Sequence, residues 1–288
     1  MPSFEGIIHK YNASKVAFEF TPTKLSNVLI MIGGMTDGLL TVPYVVNLPR
    51  VMKFLGYSVV QIQLTSSFQG WGTTSLRQDV SEIMELIEYL KSSEGGNREK
   101  IVLIGHSTGS QDVMLSLLAH PELIDDGIMQ GCVSDREAFT MDAPAETIAQ
   151  LTKDAKKLCD EGKSQELLSH YYTKYVFNTP ITAYRWCSLL IPEGDDDYFS
   201  SDLPKEALER SFGKLNKPFL MAYSAEDQFV PSFVNKQQVI DNWKSIANPQ
   251  YWSKHSGLIR GATHGVESAD SQEHLFQMVT GFIKEFNL

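Results

Sequence analysis

Short, unbroken apolar runs alternate along this chain with longer segments whose apolar residues recur every three or four positions. Val28 to Ile32, Ile101 to Ile104 and Phe219 to Tyr223 are runs of the first kind. Such runs predict strands covered on both faces, as in a parallel sheet. Tyr57 to Leu64 and Gly127 to Val133 read as further strands. Phe4 to His9 and Val16 to Phe20 read as a short pair parted by the turn-like Asn12-Ala-Ser14, with Pro22 ending the second. Ser256 to Arg260 is the last strand. The second kind of pattern is clearest from Ser75 to Leu90, where Leu76, Val80, Ile83, Met84, Ile87 and Leu90 fall on one stripe. Val42 to Leu55 repeats it and Gly56 is a good stop signal. Ser110 to Ala119 and Gln272 to Phe286 complete the set of flanking helices. The alternation predicts an α/β fold with a mostly parallel eight-stranded sheet between helices.

From about Ala138 to Phe212 the pattern changes. The segment is polar and helical in character, over Pro144 to Glu161 and Gln165 to Tyr175, and holds no convincing buried strand. Sheet patterning resumes at Lys217. The expectation is a core of residues 1–137 and 213–288 carrying a helical cap, 138–212, inserted between two late strands.

The run Ile101 to Ile104 leads straight into Gly105-His106-Ser107-Thr108-Gly109 and then a helix. Strand, G-x-S-x-G and helix in immediate succession resemble the nucleophile elbow of an α/β-hydrolase. The corner is so tight that its apical residue is strained, and side chains at the two glycines would meet the strand or helix. Ser107 is therefore the candidate nucleophile. Gly33-Gly34-Met35-Thr36-Asp37-Gly38 follows the third strand, where this architecture builds the rest of an oxyanion hole. The candidate donors are the backbone amides of Gly34 or Met35, together with that of Thr108.

A serine hydroxyl needs a base, and the base needs a carboxylate to orient it. In this architecture the chain order is Ser, acid, His. Asp227 lies a few residues beyond the strand ending at Tyr223, ahead of Phe229-Val-Pro231. Its rivals are the adjacent Glu226, and Asp135 after the preceding strand. Of the seven histidines only His264, in the loop after the last strand, satisfies both order and position. His9 comes too early, His106 sits within the elbow, His120 and His170 precede the acid, His255 lies before the last strand and His274 lies on the final helix.

Composition narrows the partners. The chain has 288 residues, 42% of them hydrophobic, enough for one large domain carrying an insertion. The net charge of −10 and the absence of any Lys/Arg cluster disfavour nucleic acid and polyanionic substrates. No apolar run approaches a membrane span, and the N-terminus lacks the basic and apolar regions of a secretory signal. Cys132, Cys159 and Cys187, odd in number and without C-x-x-C spacing, read as structural thiols in a reducing compartment. A cytoplasmic protein acting on a small-molecule ester, with no metal or organic cofactor, is the expectation.

Substrate contacts are less legible. Phe68 and Trp71 follow the fourth strand, and either line a pocket or cover the core. The expected cap holds an aromatic run that includes Trp186, and the acidic run Asp195-Asp196-Asp197. The aromatics read as cap core and the aspartates as a solvated loop, or else as a rim that attracts a cationic substrate.

Taken together, the chain resembles the fungal α/β-hydrolases that include the fusarinine C esterases, enzymes that hydrolyse siderophore esters. The resemblance rests on Ile32-Gly-Gly-Met-Thr-Asp-Gly38, Gly105-His-Ser-Thr-Gly109, Gly194-Asp-Asp-Asp-Tyr-Phe-Ser-Ser-Asp-Leu203 and the Asp227 and His264 loops. It implies a serine esterase working through an acyl-enzyme, with siderophore esters among the candidate substrates. Fusarinines bear free amines, which would suit the acidic run. Two alternatives stay open: another acyl transfer on the same groups, by a thioesterase, lactonase or acyltransferase, and a non-catalytic binding protein of the same fold.

Overall fold

The computed structural model describes residues 3–141 and 143–288. Met1, Pro2 and Asp142, which belong to the expected core and cap, lie outside the described residues. Eight strands form one sheet in the order β1-β2-β4-β3-β5-β6-β7-β8. They are β1 (Gly6–Lys10), β2 (Val16–Phe20), β3 (Asn27–Ile32), β4 (Tyr57–Ile62), β5 (Lys100–His106), β6 (Asp126–Gln130), β7 (Phe219–Ser224) and β8 (Gly257–Ile259). β1 pairs β2, and β2 pairs β4, antiparallel; from β4 through β8 every pairing is parallel. This is the sheet of an α/β-hydrolase.

The continuous apolar runs are split between two cores by the period of two. On β3, Val28, Ile30 and Ile32 face one side while Leu29 and Met31 face the other. On β5, Ile101 and Leu103 oppose Val102 and Ile104 in the same way. The first side is covered by α2 (Leu76–Lys91), α3 (Gly109–Ala119) and α9 (Lys236–Ile246), through Val80, Ile83, Leu117 and Trp243. The second is covered by α1 (Leu48–Met52) and α10 (Ala269–Glu285), through Leu48, Met52, Phe276 and Phe282. Each such side chain is worth about 1.5–3 kcal/mol of burial. Ser75 caps α2 by accepting a hydrogen bond from the Gln78 amide. Gly56 stops the helical stretch before β4 at φ +82°, the left-handed cap that its lack of Cβ permits.

Between β6 and β7 lie α4 (Asp135–Ala138), α5 (Ala145–Asp160), α6 (His170–Thr173), α7 (Ala183–Leu190) and α8 (Lys205–Arg210). Ile148, Leu151, Ala155, Trp186 and Leu189 pack a separate small core there, and Trp71 joins it from the β4–α2 loop. The expected helix over Gln165 to Tyr175 is only the single turn α6. Leu168 N–H donates to Ile181 O, and Ala183 N–H to Glu166 O, so this backbone pairs extended instead of coiling. Cys159 and Cys187, 28 residues apart, face each other across α5 and α7 with sulfurs 3.9 Å apart. No helix among the described residues is long and apolar enough to cross a membrane.

Candidate active site

β5 delivers Ser107 at φ +54°, a left-handed conformation rare for a residue with a side chain. The corner is possible because its flanks are bare. A Cβ on Gly105 would lie 2.1 Å from Gly109 O, and one on Gly109 would lie 2.6 Å from Ile32 O. Ser107 N–H donates to Gln130 O at 2.9 Å, tying the corner to the end of β6. Ser107 Oγ donates to no protein acceptor among the described residues.

The glycine loop after β3 packs directly on the serine. A Cβ on Gly34 would meet Ser107 Cβ at 2.6 Å. The Gly34 amide, however, donates to Asp37 Oδ2 at 2.8 Å, so it is not free for an oxyanion. Of the two alternatives, Gly34 or Met35, this leaves Met35, for a local cause: Asp37 closes the loop on its own glycine. Among the described residues the Met35 and Thr108 amides have no intramolecular acceptor.

His264 Nδ1–H donates to Asp227 Oδ2 at 2.7 Å, and both side chains are buried. Asp227 Oδ1 accepts from the Phe229 amide at 3.0 Å. The backbone of His264 is held on both sides: its N–H donates to Gln228 Oε1 at 3.0 Å, and its carbonyl accepts from Gln130 Nε2 at 3.1 Å. The Phe229 ring stands edge-on to the imidazole, centroids 4.9 Å apart. A carboxylate against Nδ1 sets the tautomer that leaves Nε2 as the proton acceptor. Ser107 and His264 line the same cavity. Of the two rival acids, Asp135 lines the same cavity but binds Gln111 and not His264, and Glu226 uses its backbone amide on Ala262 O.

Gln130 was not singled out by the sequence, yet it organises the floor of the site. Fully buried at the last position of β6, it accepts from His106 Nδ1 at 2.6 Å and donates to Ser224 Oγ and to His264 O, each at 3.1 Å. The only signal was a polar residue closing an apolar strand. Burial first, and then the neighbouring His264, push the His106 pKa down to about 4. His106 is therefore neutral at physiological pH and acts as a spacer, 4.9 Å from the His264 ring.

The cavity measures about 270 Å³. Its walls are largely apolar, with Met35 and Val133 from the core and Ala138, Phe139, Tyr175 and Phe177 from the helical insertion. Phe139 and Phe177 pack with centroids 5.9 Å apart.

None of the other residues expected to touch substrate lines this cavity. Trp71 and Trp186 are buried in the insertion's core, Trp186 donating to Thr152 Oγ1 at 3.1 Å. Phe68 is half-exposed and lies against Gly38. The acidic run does not line the cavity either, and of its three carboxylates only Asp195 is exposed. Asp196 is buried and takes Arg185 Nη1 on both oxygens, at 2.6 and 2.7 Å. Asp197 accepts from Arg136 Nε at 3.2 Å and from the Glu193 amide at 3.0 Å. Asp195 accepts the Tyr184 hydroxyl at 2.7 Å and opens, with Asp197, into a different hollow beside Arg77 and Arg210. Two arginines drew these carboxylates inward, a pairing invisible to a reading of neighbours in sequence.

Residues 1–284 match the family described as "Protein of unknown function (DUF1749)". The chain is 35% identical to a UPF0613 protein of Schizosaccharomyces pombe, over 98% of this chain and 96% of the other. It is 32% identical to the fusarinine C esterase sidJ of Aspergillus fumigatus, over 96% and 95% respectively. Among solved structures, the siderophore hydrolase EstB from Aspergillus fumigatus superposes with a TM-score of 0.82 at 31% identity, covering 98% of each chain.

Proposed function

We propose that Ser107, His264 and Asp227 are the nucleophile, base and orienting acid of this chain, which belongs to the DUF1749 family and is a carboxylic ester hydrolase. The observation that carries the assignment is a strained serine and a carboxylate-held imidazole opening into one cavity. The serine hydroxyl turns to hydrogen-bond His264 Nε2 as an ester seats; such contacts are often loose before substrate binds. His264 takes the proton while Ser107 Oγ attacks the carbonyl carbon. The oxyanion forms against the Met35 and Thr108 amides, each worth about 2.7–4 kcal/mol of barrier by analogy with measured oxyanion donors. His264 then protonates the departing alcohol, leaving an acyl-enzyme. A water deprotonated by His264 attacks the acyl carbon and releases the acid.

The substrates we propose are siderophore esters, on the strength of the two Aspergillus fumigatus relatives named for that chemistry. Residues 138–212 are the cap in this reading, since Phe139, Tyr175 and Phe177 roof the cavity. The three cysteines are free thiols, which fits a cytoplasmic location.

A fluorophosphonate probe should label the wild-type protein and not Ser107→Ala. Ser107→Ala and His264→Ala should each lower kcat on a p-nitrophenyl ester by about 10³-fold or more, with unchanged thermal unfolding. Retained hydrolysis in Ser107→Ala would overturn the assignment. A panel of hydroxamate-bearing siderophore esters against simple alkyl esters tests the substrate class: kcat/KM no higher for the former removes it.

A further inference from the structure

Among the described residues, Asp37 and Asp135 are the two carboxylates that line the cavity holding Ser107 and His264. Asp37 is fully engaged: Oδ2 accepts from the Gly34 amide at 2.8 Å and Oδ1 from the Thr41 hydroxyl at 2.7 Å. Asp135 is engaged on one side only. Its Oδ2 accepts from Gln111 Nε2 at 2.5 Å, and Gln111 is itself held by a second bond to Asp196 O at 3.1 Å. Among the described residues nothing donates to Asp135 Oδ1. Among the described residues no lysine or arginine lines the cavity. The nearby cation, Arg185, spends Nη1 on Asp196 and Nε on Trp71 O. A carboxylate with one oxygen anchored, the other free, and aromatic walls at Phe139, Tyr175 and Phe177 is a receptor for an ammonium group.

We propose that Asp135 Oδ1 receives a protonated amine of the ester substrate, so that this residue sets a preference for cationic esters. The inference rests on Ser107 and His264 being the place where the ester is cleaved. Burial pushes the Asp135 pKa up to about 7, helped by Asp196 and opposed by the Gln111 bond, Arg185 and His264. A buried charge is costly, and a bound ammonium adds a counter-charge on the cavity side, which no described lysine or arginine lines. The acidic run, the other candidate for an amine, does not line the cavity.

The test compares kcat/KM for amine-bearing esters with their neutral isosteres at roughly pH 8, where an alkylamine stays protonated. Two matched pairs are used, one with the amine in the acyl chain and one with it in the alcohol. At least one pair should favour the amine in the wild-type protein. In Asp135→Asn, which keeps an acceptor for Gln111, that ratio should fall by at least about tenfold. No preference in either wild-type pair, or a preference that survives Asp135→Asn, overturns the proposal. Should the variant not fold, the wild-type protein decides: pentylammonium should inhibit hydrolysis of a neutral ester at least about tenfold more tightly than pentanol, and equal inhibition refutes it. Ser107→Ala separates the two readings. Loss of all hydrolysis in that variant upholds the esterase assignment whatever Asp135 does.

Discussion

At the scale of single residues, the site depends on groups that hold other groups. Gln130 never reaches the cavity, yet one amide side chain bonds His106, Ser224 and the His264 carbonyl. Replacing it with leucine keeps the bulk and removes every one of these bonds. Three buried polar groups then lose a partner, and the imidazole loses one of its two backbone anchors. Gln130→Leu should therefore lower kcat by about tenfold to a hundredfold through misplacement of His264, with KM nearly unchanged. Steady-state kinetics on a single ester checks this; a rise in KM alone would mean that Gln130 shapes the pocket instead. The same logic applies to Gly34. Its amide was a plausible oxyanion donor until Asp37, three residues on, was seen to occupy it.

At the scale of elements, Arg185 ties the insertion together by charge and reaches the hydrolase core through one backbone carbonyl. Arg185 on α7 reaches Trp71 O in the β4–α2 loop and Asp196 in the loop beyond α7. Both partners of the Arg185–Asp196 pair are buried. Removing one leaves the other's charge unmatched, which typically costs about 3–5 kcal/mol. Asp196→Ala should accordingly shift the urea midpoint strongly. Asp195→Ala, which loses one bond at the rim of a remote hollow, should cost under about 1 kcal/mol. It should also leave KM for amine-bearing esters unchanged, because that residue does not face the Ser107 cavity. Urea titrations and parallel kinetics of the two variants distinguish these roles. The expected helix at Gln165 to Tyr175 failed for a related reason. Helical periodicity is a local signal, but Leu167 found an extended partner in Thr182.

At the scale of the whole molecule, buried acids shape stability against pH. Both carboxylate oxygens of Asp126, at the start of β6, are buried and unpartnered. Burial first, and then Asp125, push its pKa up to about 8. Asp79 is raised to about 7 and Asp112 is raised as well, both chiefly by burial. Each of these groups holds its proton more tightly folded than unfolded. Their contribution is fully present below about pH 4 and is lost as pH rises toward about 8. Glu19 opposes them at the acid end. Burial alone would raise it, but the bonds from His9, the Lys24 amide and Ser58, with the charge of Arg98, bring it down to about 2. Its contribution is lost as pH falls from about 4 through 2. The melting temperature should therefore peak on the acid side of neutrality, at about pH 4–5, and decline toward pH 8. Asp126→Asn should flatten the decline and raise the melting temperature at about pH 8. Thermal melts across a pH series check both; an unchanged slope in the variant would show that Asp126 is not a source of it.

What the amino-acid order determined by itself is whatever depends on near neighbours. Unbroken apolar runs marked the parallel strands, and a stripe on every third or fourth residue marked α2. Glycines flanking Ser107 marked the corner, because only residues without Cβ fit beside Gly109 O and Ile32 O. Chain order also singled out Asp227 and His264, since this fold places such residues in loops at the same end of neighbouring parallel strands. What only the tertiary structure decided is which side chains meet across those loops. Arg185 and Arg136 turned Asp196 and Asp197 inward, Asp37 claimed the Gly34 amide, Gln130 joined two histidines, and Asp135, with one oxygen on Gln111, came to line the cavity. Apart from Asp37, three residues from Gly34, these partners lie 11 to 134 residues apart in the chain, where electrostatic pairing and the cost of unsatisfied polar groups outweigh any local preference.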